Sequence, residues 1–223
     1  MKSVTRALKE DKILKAAKKI FEKKGEQNAK MEDIASKAGI TKVTLYSYFK
    51  SKDNLCLAVT LGGYSILVKQ FEKTLKETES QSGKESVLEL FKVAIDFFLD
   101  NPVYLELFLK TSGIIGIPKQ SQDLDLDKLD YYQRLRDMYI MPFKISRTAF
   151  EKGKSDGSIK CPANPYVLTV AAWNNALGYV QHANAVGTSK QKAKEFRLKE
   201  LKEFHIYKLR KILEFQTMEL PTV

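Results

Sequence analysis

Apolar positions recur at three- and four-residue intervals along almost the whole chain, the spacing of one face of an α-helix rather than the alternation of a strand. Ile13, Ala16, Ala17, Ile20 and Phe21 form the first such stripe, which predicts a helix that Gly25 can end. A shorter stripe over 31–38 stops at Gly39. Thr41 can then cap a helix over 42–48, and Ser51 a long one from Lys52 to Thr78. Ser82-Gly83-Lys84-Glu85 has the capping-box pattern and opens a helix with Val87, Leu88, Phe91, Ile95 and Phe98 on one face. Asn101-Pro102 closes that helix and starts the next, since proline is tolerated at the first helical position. The periodicity lapses from Gly113 to Leu126, which predicts the longest internal loop. A further helix reaches Lys152 with a kink at Pro142, and Gly153 to Pro162 forms a second connection. Asn164-Pro165 launches a helix to Val186, Gly187-Thr188-Ser189 breaks it, and a last helix runs to Met218. The expectation is an all-α protein of about nine helices, without strands or internal repeats.

Composition bounds the class. The chain has 223 residues, 43% hydrophobic and 29% charged, enough to bury a core in one large or two modest domains. Two cysteines, Cys56 and Cys161, are too few for a disulfide scaffold and suit a reducing compartment. Residues 1–12 lack the apolar core of a signal peptide, and the most apolar stretch, Tyr166 to Val180, is broken by Asn174 and Asn175. A cytoplasmic protein with no membrane partner is expected.

The formal charge of +11 is unevenly placed. Residues 1–60 carry 14 basic and 7 acidic side chains, residues 61–189 carry 15 of each, and residues 190–223 carry 9 and 5. A basic block on a neutral body fits a head that meets a polyanion, although lysines that merely solvate helix faces give the same count.

Chemistry concentrates in that head. Two short helices around a glycine turn, preceded by a longer one, have helix-turn-helix organisation. Ile34, Ala35, Ile40 and Leu45 can pack the crossing while Gly39 takes the positive φ of the turn. The outer face of 42–48 is then free to enter a major groove. Lys42, Thr44 and Tyr48 lie on or near that face, Tyr46 can reach a phosphate, and Lys50 and Lys52 stand where the helix leaves the groove. Tyr46 and Tyr48 as core aromatics, and Lys2 and Arg6 as either a frayed tail or a minor-groove arm, remain open from the residues alone.

Residues 12–59 resemble the DNA-binding domain of the TetR/AcrR family of bacterial transcriptional regulators. The matching positions are Asp33-Ile34-Ala35 through Gly39-Ile40, Thr44-Leu45-Tyr46-Ser47-Tyr48-Phe49, and Ser51-Lys52-Asp53-Asn54-Leu55. The resemblance implies a recognition helix over Thr41 to Tyr48. Tyr46 and Lys52 would touch phosphates, and Lys42, Val43, Thr44 and Tyr48 would face bases. The chain departs from the family at two places. Glu26 stands where an aromatic is common, leaving a carboxylate near DNA or a solvated loop residue. Ala29-Lys30 replaces Thr-Thr, with Lys30 able to supply the phosphate contact itself. Residues 1–51 are thus expected to form the DNA-binding domain. Residues 52–223 form a ligand-binding and dimerisation domain, with 52–78 as the connecting helix.

The body has aromatic material for a ligand cavity or for an ordinary core, and Phe98, Tyr104, Phe108, Tyr139, Phe143 and Trp173 are the candidate lining of a site for an unknown small hydrophobic ligand. A homodimer interface is expected from the stripe Val167, Val170, Ala171, Asn174, Leu177, Gly178 and Gln181, faced by Ile206, Leu209, Ile212, Leu213 and Phe215. A monomer that buries these in its own core is the alternative. Asp123-Leu124-Asp125-Leu126-Asp127 lacks the glycine and the terminal carboxylate of a calcium loop, and the histidines and cysteines lack metal spacing. No metal, no cofactor and no catalytic residues are expected, and the chain is not read as an enzyme. The reading is a ligand-responsive, homodimeric repressor on a palindromic double-stranded DNA operator. A non-specific nucleoid-type DNA binder and a ligand-binding helical protein are the alternatives.

Overall fold

A computed structural model of the chain describes residues 2–116, 130–187 and 197–216, and every regular element among them is an α-helix. In chain order these are α1 (Lys2–Lys24), α2 (Met31–Ala38), α3 (Lys42–Tyr48), α4 (Lys52–Glu77) and α5 (Gly83–Asp100). They continue with α6 (Pro102–Gly116), α7 (Asp130–Tyr139), α8 (Met141–Ser155), α9 (Pro165–Val186) and α10 (Leu198–Glu214). Among the described residues, 2–65 with 102–116 and 130–139 form one compact unit, and 66–101 with 140–187 and 197–216 form a second, so α4 contributes to both.

In the first unit α1, α2 and α3 close around Ile13, Ala17, Phe21, Ile34, Leu45 and Phe49, all essentially inaccessible. The helix α6 packs on α1 and approaches α4 so closely that a Cβ on Gly63 would lie 2.7 Å from the Tyr104 ring. From α7, Tyr131 stacks on Phe49 with ring centroids 5.7 Å apart and its hydroxyl donates to Glu10 of α1.

The second unit packs α5, α8 and α9 on one another, with α10 against α5 and α9. Trp173 sits at its centre, 5.7 Å from Phe91 and 6.0 Å from Phe71 between ring centroids. The start of α5 lies directly on α8: a Cβ on Gly83 would come within 2.0 Å of the Gly153 nitrogen. The otherwise unpaired N–H groups of that first turn donate to the loop after α8, Gly83 to Asp156 at 2.7 Å and Lys84 to the Ser158 hydroxyl at 3.0 Å. Glu85 is clamped from α10 by Arg210 at 2.7 and 3.1 Å.

The caps expected from sequence are made. The hydroxyl of Ser82 accepts from the Glu85 N–H, Asn164 Oδ1 accepts from the Tyr166 N–H, and Ser51 Oγ accepts from the Asn54 N–H. Three boundaries differ from expectation. Gly113 does not end α6, which runs on to Gly116. One glycine costs a helix only about 1 kcal/mol, and Leu105, Leu107, Phe108 and Thr111 bury the preceding turns. Pro142 does not kink one helix but sits in the first turn of α8, after a break at Ile140. There its missing N–H has no helical acceptor to lose, whereas mid-helix it would clash with the carbonyl four residues back. The last helix ends at Glu214. The acidic run Asp123 to Asp127 and the residues after Gln216 lie outside the described residues, as does most of the expected internal loop.

Candidate nucleic-acid interface

The helix-turn-helix is built by capping and one glycine. At the end of α2, Gly39 adopts φ +65°, its N–H donates to Ser36 O, and the Ile40 N–H donates to Ala35 O. That pair of bonds closes the helix with a left-handed residue, a backbone conformation that costs any side-chain-bearing residue about 1–2 kcal/mol. The chain turns into Thr41, whose Oγ1 accepts from the Thr44 N–H at 3.1 Å and lies 2.9 Å from the Thr44 hydroxyl. Leu45 and Phe49 then anchor α3 in the core.

With those anchors buried, the opposite face of α3 is bare. Val43 is 81% exposed and Tyr46 40%. Thr41, Lys42, Ser47 and Lys50 are exposed, and Thr44 and Tyr48 are half-buried. Neither tyrosine is a core aromatic. The Arg6 guanidinium lies over the Tyr48 ring, 5.3 Å from its centroid, and α1 begins at Lys2. Lys42 pairs with Glu32 of α2. That hydrogen bond, with the Glu32 charge, raises the Lys42 pKa and holds the Glu32 carboxyl below its ordinary range. Lys30 is exposed at the start of α2 and makes no side-chain cap there.

Glu26 is neither solvated nor a surface carboxylate. It is 2% exposed, and Oε2 accepts from Lys110 of α6 at 2.7 Å. Lys52, expected to touch a phosphate, donates to the main-chain oxygens of Glu26 and Gln27, each at 3.0 Å, and lies 3.6 Å from Glu26 Oε1. Burial pulls the Lys110 pKa down, but the bond to Glu26 and the charges of Glu26 and Asp53 outweigh it and leave the value raised. Burial drives the neighbouring Cys56 thiol up to about 12, so it stays protonated and unreactive near neutral pH. Lys110 stands 84 residues from Glu26, and nothing in a local window couples them.

The sequence model of the family described as bacterial regulatory proteins, tetR family, matches residues 13–59. The HTH-type transcriptional regulator SAB2452 of Staphylococcus aureus is 29% identical over 144 residues, covering 65% of this chain and 72% of that protein. The TetR-family regulator PfmR of Thermus thermophilus superposes with a TM-score of 0.65 at 18% identity, over 92% of this chain and 99% of its own. Bacillus subtilis FadR, solved in complex with stearoyl-CoA, gives 0.65 at 17% identity over 90% and 97%. The chain belongs to the TetR family. It is a transcriptional regulator with a helix-turn-helix DNA-binding domain.

In this TetR-family protein the six aromatics expected around a ligand divide between the units. Phe108 stands 4.9 Å from Tyr64 and 6.1 Å from Tyr139, centroid to centroid, and Tyr104 lies under Lys18 at 4.7 Å, all in the first unit. Burial holds the Tyr64 phenol far above its ordinary pKa, so it stays protonated. Trp173 and Phe143, 5.0 Å apart, and Phe98 beside Phe97 belong to the second unit. No single described cluster contains all six.

The stripe on α9 is at the surface of the single chain: Val167 is 49% exposed, Ala171, Asn174, Gly178 and Gln181 are exposed, and Val170 and Leu177 are half-buried. The facing stripe on α10 needs correcting. Ile206, Leu209 and Leu213 are buried within the chain, where α10 packs on α5 and α9. The apolar residues that α10 exposes are Phe204, Tyr207, Ile212 and Phe215. A groove of about 280 Å³, lined by Leu168, Ala171, Ala172, Leu209 and Ile212 among others, runs between α9 and α10. Among the described residues no helix is long and apolar enough to cross a membrane, and no three metal-binding side chains cluster.

Proposed function

We propose that this protein is a repressor that binds a palindromic operator as a homodimer and releases it when a small hydrophobic ligand enters the body. Residues 1–51 read the DNA, 52–223 sense and dimerise, and the connecting helix α4 carries the ligand's effect. The observation that carries the reading is the capped α3 with Lys42, Val43, Tyr46 and Lys50 exposed on a basic head. The exposed small and amide residues of α9 support two-fold pairing, since they let helices approach closely and hydrogen-bond across an axis. Two such heads about 34–36 Å apart would read successive major grooves on one face of a duplex. A hydrophobic ligand is supported by the aromatic clusters and by the stearoyl-CoA bound to a protein of the same fold. Selection from a random double-stranded library tests this, followed by titration of the winner against scrambled DNA at two salt concentrations. A palindromic winner that keeps its preference at higher salt is expected. Binding without preference that vanishes with salt would leave a phosphate-only, nucleoid-type binder.

A further inference from the structure

We propose that Glu26 and Lys110 are positioning residues that keep the Lys52 ammonium available to a DNA phosphate, so that the seat of α6 sets the affinity of the head for DNA. The inference rests on the DNA-reading role proposed above and concerns one contact within it. An ammonium has three N–H donors. Those of Lys52 that are engaged go to the main-chain oxygens of Glu26 and Gln27, at 3.0 Å each, which fixes the nitrogen beside the first turn of α4. The third faces the Glu26 carboxylate, whose Oε1 forms an ion pair with Lys52 at 3.6 Å but lies too far to accept a hydrogen bond. It stays there because Lys110 holds the other carboxylate oxygen at 2.7 Å.

Glu26 is almost wholly buried, and a buried carboxylate needs a cation. Lys110 and Lys52 are the two cations beside it, so removing one drives the carboxylate onto the other. With Lys110 in place, the third N–H of the partly exposed Lys52 is not held by the carboxylate in a hydrogen bond and can turn to a phosphate. With α6 displaced by a few ångström, Glu26 tightens its ion pair with Lys52 into a hydrogen bond and competes with the DNA for that N–H. The triad therefore makes phosphate binding responsive to α6 without any change in the recognition helix.

The test uses the full-length protein and the duplex recovered by selection. The slope of log affinity against log salt is measured between about 0.05 and 0.2 M, where each phosphate contact contributes close to one. Lys52→Met should bind roughly tenfold more weakly and lower the slope by about one. Lys110→Met, which leaves Lys52 intact, should reproduce both effects. Glu26→Gln in the Lys110→Met background should restore the wild-type slope, since no carboxylate remains to capture Lys52. If Lys110→Met only lowers the melting temperature and leaves the slope unchanged, while Lys52→Met lowers it, the positioning role is wrong and the phosphate contact stands. If Lys52→Met leaves the slope unchanged, the phosphate contact itself is wrong and the inference falls with it.

Discussion

Gly62 and Gly63 are adjacent in the middle of α4 but should respond to alanine with opposite signs. At a helix interior, glycine to alanine gains about 0.5–1 kcal/mol, because alanine has less backbone freedom to lose. A Cβ on Gly62 meets nothing within 4 Å, so Gly62→Ala should realise that gain. A Cβ on Gly63 would lie 2.7, 2.9 and 3.0 Å from the Cδ1, Cγ and Cε1 atoms of Tyr104. These atoms belong to a rigid, buried ring with the Lys18 ammonium 4.7 Å from its centroid. The ring cannot retreat by a simple rotamer change, and overpacking of this kind costs about 1–3 kcal/mol. The propensity gain is common to both variants and cancels in their difference, leaving Gly63→Ala less stable than Gly62→Ala by about 1–3 kcal/mol. For a chain of this size that separates their melting temperatures by roughly 2–12 °C, read by circular dichroism. Equal melting temperatures, or the reverse order, would refute the close approach of α4 and α6.

Thr41→Ala removes the acceptor for the Thr44 N–H and should cost about 1 kcal/mol in urea titration, with Thr41→Ser retaining most of it. Tyr46→Ala should fold normally, the ring being half outside, and lose about 1–3 kcal/mol on the selected operator by fluorescence anisotropy. Asp156 is partly desolvated, which raises its pKa, but bonds from the Ser158 hydroxyl and the Gly83 and Ser158 N–H groups outweigh that and leave it lowered. A lowered folded-state pKa gives stability that is present above the unfolded pKa and is lost as pH falls through the folded one. Asp156→Asn should therefore flatten the acid limb of a melting-temperature profile below about pH 4. Ala171→Arg places a charge on the exposed stripe of α9. It should turn a dimer into a monomer in sedimentation, with the helical spectrum unchanged.

Much of the fold was legible because helices announce themselves locally. The stripe from Ile13 to Phe21, the caps at Thr41, Ser82 and Asn164, and the left-handed Gly39 are decided by residues within about one turn of each other. The bare face of α3 was legible for the same reason, since Leu45 and Phe49 had to be buried and left Val43 and Tyr46 outside. Where local signals competed, tertiary packing chose. Gly113 could have ended α6, but the buried side chains beside it carried the helix on to Gly116.

Of the two faces expected to pair subunits, periodicity marked both as apolar stripes, and it cannot say which stripe a chain uses for its own core. The chain buried Ile206, Leu209 and Leu213 internally and left the small residues of α9 outside. Glu26 shows the limit most clearly. From its neighbours in sequence it is a polar loop residue after a glycine, while in the folded chain it is a buried carboxylate held by Lys110. The sequence by itself determined the helices, their ends and the bare face of α3, because each depends on interactions along one segment. Only the tertiary structure decided which apolar faces became core and where the buried charge found its partner, because those energies come from residues that meet only after the helices pack.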